Sequence, residues 1–199
     1  MKLTSIGILR WNGDQEPILL GMAQDLSSFG YFQRTSVKEM ITFVSRTIVR
    51  RTQLGQRQTV QHEDYYCHVH VRESGLAGIA VADKDYPARA AFSVVATVLD
   101  EYLEKNGESF RNVTADSTLG DDIAEPALVK YQDPINADKI MKIQKDLDET
   151  KIVLHQTIES VLERGEKLDN LVGKSNDLSI ASQMFYKQAK KTNACCRYM

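Results

Sequence analysis

DLDETKIVLHQTIESVLERGEKLDNLV, residues 146–172, decides how the chain is to be read. A frame that steps alternately by three and four residues from Ile140 runs through Ile143, Leu147, Thr150, Leu154, Thr157, Val161, Arg164, Leu168, Leu171, Ser175, Leu178, Ser182, Phe185, Ala189 and Thr192. Every position in this frame is apolar, or small and uncharged, except Arg164, although the residues between are densely charged. A sustained period of about 3.5 residues makes an α-helix supercoil with partners rather than fold back as a globular helix. As one helix the segment is roughly 80 Å long at about 1.5 Å per residue, too long for a small domain to bury, so its seam is expected to need other chains.

Arg164 is the informative exception. The alternative is an ordinary surface arginine in a misplaced frame, but the pattern resumes without a stutter from Val161 to Leu168. A guanidinium inside a helical bundle is costly unless its donors are satisfied. Partner helices must therefore present acceptors at that layer, and neutral glutamine amides serve while also fixing register.

Composition sets the rest of the frame. The 199 residues are 42% hydrophobic and 26% charged, enough for one core of about 100 to 150 residues plus an appendage. A net charge of −2 offers no general attraction to nucleic acid or to an anionic membrane. MKLTSIGILRWNG lacks the core of a signal peptide, and no window approaches the roughly 18 apolar residues of a membrane span. A cytosolic chain with reduced thiols is the expectation.

The N-terminal part reads as strands and helices in the order ββαββα. Residues 2–10 and 17–23 form a hairpin about Asn12-Gly13. Val37, Met40, Ile41, Val44 and Ile48 recur at helical spacing, with Ser36 as the expected cap. DYYCHVHVRESGLAGIAVADKDYP supplies two strands about Glu73-Ser74-Gly75, and Phe92, Val95, Ala96, Leu99 and Tyr102 mark a second helix. A further edge strand is expected from poorly patterned sequence. Residues 106–123 read as a loop, AEPALVKYQ as a short third helix, and Asp133-Pro134 as a helix start. The predicted class is α+β, an antiparallel sheet covered by helices over 1–132, followed by a long helical coiled-coil segment over 136–194 and a tail at 195–199.

DLDETKIVLHQTIESVLERGEKLDNLV resembles the SNARE motif of the R-type, synaptobrevin-like family. DLSSFGYFQRTSVKEM and RQTVQHEDYYCHVHVRESGLAGIAVADKDYPARAAFSVVATVLDEY resemble a longin domain, a profilin-like regulatory module. With the CCRYM end, the whole is similar to the prenylated longin-type R-SNAREs, the YKT-type synaptobrevin homologues. The resemblance implies a four-helix bundle in which Arg164 meets glutamines from three Q-SNARE helices, drawing a vesicle and its target membrane to fusion. No cofactor is expected, only covalent farnesyl and palmitoyl lipids.

Cys196-Arg197-Tyr198-Met199 has the C-a-a-X form, and a terminal Met favours farnesylation. Neither middle residue is aliphatic, and Tyr198 is the larger departure. Farnesyl on Cys196, with removal of Arg197–Met199 and carboxyl methylation, and a palmitoyl or second prenyl group on Cys195, are the expected modifications. One lipid gives marginal, reversible binding and two give retention. The resemblance thus implies prenyl and acyl transferases as partners. It also implies a cytoplasmic pool exchanging with the cytosolic face of Golgi, endosomal, vacuolar or vesicle membranes.

A solvated prenyl chain favours burial. A closed state is expected in which lipid and SNARE segment fold onto the longin domain. The off-seam apolar residues Ile152, Val153, Ile158, Leu162, Val172, Ile180 and Met184 point the same way, and Phe43 is the candidate groove contact, with ordinary core packing as its alternative. LDNLVGKS lacks the first glycine of a P-loop, and Cys67-His68-Val69-His70 lacks a third metal ligand. No nucleophile, base or carboxylate pair is arranged for catalysis. The alternative function is a lipidated longin adaptor or tether that binds coiled-coil partners without driving fusion.

Overall fold

The hairpin signal at Asn12-Gly13 joins β1 (Leu3–Arg10) to β2 (Ile18–Gln24), with Gly13 at φ 65° in the turn. A computed structural model describes residues 2–137, 152–155 and 157–196, and for 192–196 the backbone alone. After β2 come α1 (Arg34–Arg50), β3 (Arg57–His62), β4 (Tyr65–Val71), β5 (Leu76–Asp83), α2 (Ala88–Asn106) and α3 (Asp121–Lys130). The six-stranded sheet has the order β2-β1-β5-β4-β3-β6, where β6 (Ile152–His155) comes from the heptad segment. All neighbours are antiparallel except β3 and β6, which run parallel with Arg57 opposite Ile152 and Val60 opposite His155.

The helices divide the core. One apolar cluster joins Leu3, Ile6 and Ile8 of β1 to α2 and α3 through Val95, Leu99 and Leu128. The other joins Val60, Val69 and Ile79 to α1 through Val44 and Ile48. The edge strand β2 is covered by the chain before α3: Ser117 N–H and Gly120 N–H donate to the Leu19 and Leu20 carbonyls at 2.8 Å. Gly21 permits this approach, since a Cβ there would lie 2.5 Å from the Gly120 carbonyl carbon.

Four details differ from the sequence reading. The expected extra strand is β3, so the order is ββαβββα. It is not the outermost strand, because β6 adds beyond it. α1 begins at Arg34 after a 3-10 turn at Tyr31–Gln33, so Ser36 lies inside the helix and caps nothing. The preceding turn already supplies the helical entry. The stretch 106–123 holds a 3-10 helix, Gly107–Asn112, buried by Phe110, and its last residues open α3. Asp133 does act as a cap, accepting from Ile135 N–H at 2.9 Å.

The heptad segment is helical over α4 (Leu168–Lys174) and α5 (Ile180–Cys196), but it is not one rod. Between β6 and α4 lie a 3-10 turn at Ile158–Ser160 and a tight turn at Arg164-Gly165. The expectation that this segment is too long for the small domain fails for this reason: broken into short pieces, it lays apolar residues on the domain that a continuous rod would carry past it. Ile140, Ile143, Leu147 and Thr150 lie outside the described residues.

Candidate functional site

α1 has two working faces. Val37, Ile41, Val44 and Ile48 pack toward the sheet. Glu39, Phe43, Arg46 and Arg50 recur at four, three and four residues and so share a second stripe. That stripe meets the heptad segment. Phe43 joins the same buried cluster as Ile158, Leu162, Leu168, Val172 and Leu178, and lines a cavity beside Leu171 and Ser175.

Charged groups hold this contact at three points. Arg46, with its side chain only 9% exposed, donates to Asp177 of the segment at 2.7 Å, to Glu16 of the β1–β2 turn at 2.9 Å, and to Asp116. Burial disfavours the Arg46 charge, and the three carboxylates outweigh it. Glu16 is raised above its ordinary value first by its hydrogen bond to Asp177 and then by burial. Burial also pushes Asp177 upward, but Glu16 and Arg46 hold it below the usual carboxylate range. Arg51 forks onto Glu163 and Glu166, the latter at 2.7 Å. Glu39 accepts from Ser179 N–H at 2.8 Å.

Glu163 and Glu166 bracket a turn closed by Glu166 N–H donating to the Glu163 carbonyl at 2.9 Å. Gly165 occupies its third position with φ 92°, as a type II turn requires. Arg164 beside it is exposed. Its side chain is thus turned away from the domain at a point where the backbone is not helical.

The seam residues divide accordingly. Leu168, Leu178 and Ser182 are buried, Val161 and Leu171 pack on the α1 cluster, and Ser175 is half-buried. Phe185 and Ala189 line an apolar cavity of about 200 Å³ between α5, α1 and the sheet. Leu154 and Thr157 are exposed. Off the seam, Ile158, Leu162 and Val172 are buried, whereas Ile152, Ile180 and Met184 are exposed.

The apolar cavity is walled by Phe29, Val37, Met40, Ile41, Tyr65 and Cys67. Phe43 is not part of its lining. Burial pushes the Cys67 thiol up to about 12 and lowers His62, so both present uncharged walls at neutral pH. Neighbouring His68 shares a hydrogen bond of 3.0 Å with Thr59 through Nδ1. No group of three or more metal-ligating side chains occurs among the described residues. No described helix is long and apolar enough to cross a membrane. The backbone of Cys195 and Cys196 closes α5.

A helix-covered sheet whose α1 holds a one-arginine heptad segment defines a class of protein, the R-SNARE with an N-terminal longin domain. Residues 26–122 match the longin model, described as a regulated-SNARE-like domain, and residues 139–197 match synaptobrevin. The chain is 55% identical over 197 residues to VAMP-like protein YKT61 of Arabidopsis thaliana, covering 98% of each. It is 50% identical over 197 residues to the synaptobrevin homolog ykt6 of Schizosaccharomyces pombe, again covering 98% of each. To the synaptobrevin homolog YKT6 of Saccharomyces cerevisiae it is 47% identical over 201 residues, covering both chains in full. The chain belongs to the YKT6 family of longin-type R-SNAREs. Its role lies in membrane trafficking, its partners are those of a SNARE complex, and it is not an enzyme.

Arg46, Arg51 and Glu39 were not singled out by the sequence reading. The signal was present as the second α1 stripe, centred on Phe43, but a mixed charged and aromatic stripe reads equally well as a solvated face.

Proposed function

We propose that the heptad segment zips with three Q-SNARE helices to drive vesicle–target membrane fusion, that lipids on Cys195 and Cys196 anchor it, and that the longin domain restrains it beforehand. One observation carries this reading. Leu168, Leu178, Ser182, Phe185 and Ala189, five of the side chains a bundle would enclose, are held against the sheet, α1 and the apolar cavity. A seam cannot be buried twice, so closure and bundle formation exclude each other. The largely apolar cavity beside α5, with Glu63 among its lining residues, is suited to the first part of a prenyl or acyl chain, and the seam residues Phe185 and Ala189 line it on the side that leads to the two cysteines. Zipping would pull the segment off α1, straighten the turn at Gly165 and turn Arg164 inward. The membranes expected are Golgi, endosomal, vacuolar or vesicle membranes facing the cytosol.

The test is to mix the full chain, and separately residues 136–192, with Q-type helices. Cooperative assembly that is slower for the full chain and weakened by Arg164→Ala supports the reading. Assembly indifferent to Arg164 points to the adaptor or tether instead. Intact mass of the native C-terminal peptide reads the lipids directly.

A further inference from the structure

Two of the apolar residues of α5 are covered by neither arrangement described above. Ile180 and Met184 are 78% and 66% exposed while the segment lies on the domain. In a bundle built on Leu178, Ser182, Phe185 and Ala189 they would face outward again, because they lie on the opposite side of α5. Single exposed apolar side chains need no explanation. These two are not scattered, since Ile180, Met184, Lys187 and Lys191 recur at four, three and four residues and form one stripe.

We propose that this outer face of α5 is a docking surface for an anionic phospholipid bilayer, used while the opposite face remains on the longin domain. The chemistry of the stripe fits such a surface. Its apolar end offers Ile180 and Met184 to the headgroup–acyl boundary, and its basic end offers Lys187 and Lys191 to lipid phosphates. This is the composition of a helix that lies in an interface rather than across it. The lysine stems cover apolar surface while their ammonium groups reach outward. From Ile180 to Cys196 the helix contains no Asp or Glu, although the chain as a whole carries a net charge of −2. Acidic groups near α5 lie on other elements: Asp169 accepts from Tyr186 Oη–H and Lys190 Nζ, and Glu39 accepts from Ser179 N–H. Lys190 is thereby occupied on the flank, and Lys187 and Lys191 are exposed.

The inner face supplies the matching half of the device. Phe185, Tyr186 and Ala189 line the apolar cavity, and Ser182 is fully buried, so the domain fixes which side of α5 points out. A closed molecule can therefore sample an anionic membrane before its seam is released. The reading of the preceding section supplies a membrane at the C-terminal end of α5, and the face itself is tested without any lipid anchor.

The experiment uses the full chain made without lipid, carrying Cys195→Ser and Cys196→Ser. It is sedimented with vesicles of phosphatidylcholine alone and with vesicles of equal phosphatidylcholine and phosphatidylserine. Binding to the mixed vesicles only, weakening as salt is raised, is the expected result. Lys187→Gln with Lys191→Gln should weaken it about 25-fold, from about fivefold for each lysine near the surface. Ile180→Gln with Met184→Gln should weaken it comparably, and amide exchange of β6 and α4 should stay protected on the vesicle. Equal binding to both vesicle types, full binding by either double variant, or loss of that protection would overturn the proposal. So would self-association without vesicle binding that Ile180→Gln and Met184→Gln abolish, because a second copy would then be the occupant. Assembly with Q-type helices in the absence of vesicles separates failure here from failure of the SNARE mechanism.

Discussion

Gly165→Ala should push the molecule open. In the closed arrangement Gly165 has φ 92° at the third position of the Glu163–Glu166 turn, and an added Cβ would meet no atom within 4 Å. The cost of alanine there is thus backbone strain alone, about 1–2 kcal/mol for an L-residue at positive φ. Opening relieves that strain, so the opening equilibrium should rise about 5- to 30-fold. In the proposed bundle the same position would be helical, where alanine is better than glycine by about 1 kcal/mol. Passage from closed to bundled should therefore gain about 2–3 kcal/mol, or roughly 30- to 150-fold. Amide exchange of β6 and α4 reads the first quantity, and titration of the full chain with Q-type helices reads the second. Gly173→Ala is the control. Gly173 lies inside α4, a Cβ there also meets nothing within 4 Å, and it is helical in both states, so its gain cancels. Unchanged exchange in Gly165→Ala, or an equal response in Gly173→Ala, would refute the idea that this turn holds the balance.

Three further outcomes follow from the same contacts. Val172 is fully buried on the domain yet lies off the seam, so Val172→Ala should weaken closure by about 2 kcal/mol. Assembly by the isolated segment 136–192 should be unaffected, as circular dichroism melts of the bundle would report. Asp177→Asn removes one charge from the Arg46 cluster while Glu16 and Asp116 remain. It should cost about 1 kcal/mol, discounted for the partly exposed carboxylate, and raise exchange near the α4–α5 junction. The third outcome concerns acid. At Glu39, burial raises the pKa, but bonds from Ser179 and Ser182 bring it below its ordinary value of 4.5; Lys190 and then Tyr186 lower Asp169 below 3.8. Depressed carboxylates stabilise closure above those ordinary values, and this contribution is lost as pH falls through the lowered ones. Raised Glu16 acts oppositely, favouring closure as it takes up a proton. Glu16→Gln should therefore show the steeper loss of Val172 exchange protection on acidification below 4.5.

Much of the sheet domain was legible because its signals are local. Asn12-Gly13 closes a hairpin wherever it sits between apolar runs, and the stripe of Val37, Ile41, Val44 and Ile48 demands a helix with one buried side. β3 was legible only as a poorly patterned remainder, because Arg57–His62 contributes one strongly apolar side chain, Val60, and gains its place from β4 and β6. Arg46 was not legible at all. Its three partners stand 30, 70 and 131 residues away in the chain, and nothing in the spacing of residues brings such separations together.

The heptad segment divides along the same physical line. By itself the sequence determined the 3.5-residue frame, the lone Arg164 and the surplus of apolar residues off the seam, because periodicity and composition are properties of the chain alone. Which surface those residues bury is a property of what they meet. Ile152–His155, strand-prone and only four residues long, becomes an edge strand because β3 offers unpaired backbone groups. Arg164-Gly165 becomes a turn because Arg51 gathers the glutamates on either side. The tertiary structure alone decided that Ile158, Leu162 and Val172 are covered while Ile180 and Met184 are not. That choice rests on the position of α1, whose second stripe accepts α4 and whose Val37, Met40 and Ile41 face the inner side of α5 across the cavity, leaving the other side of α5 to solvent.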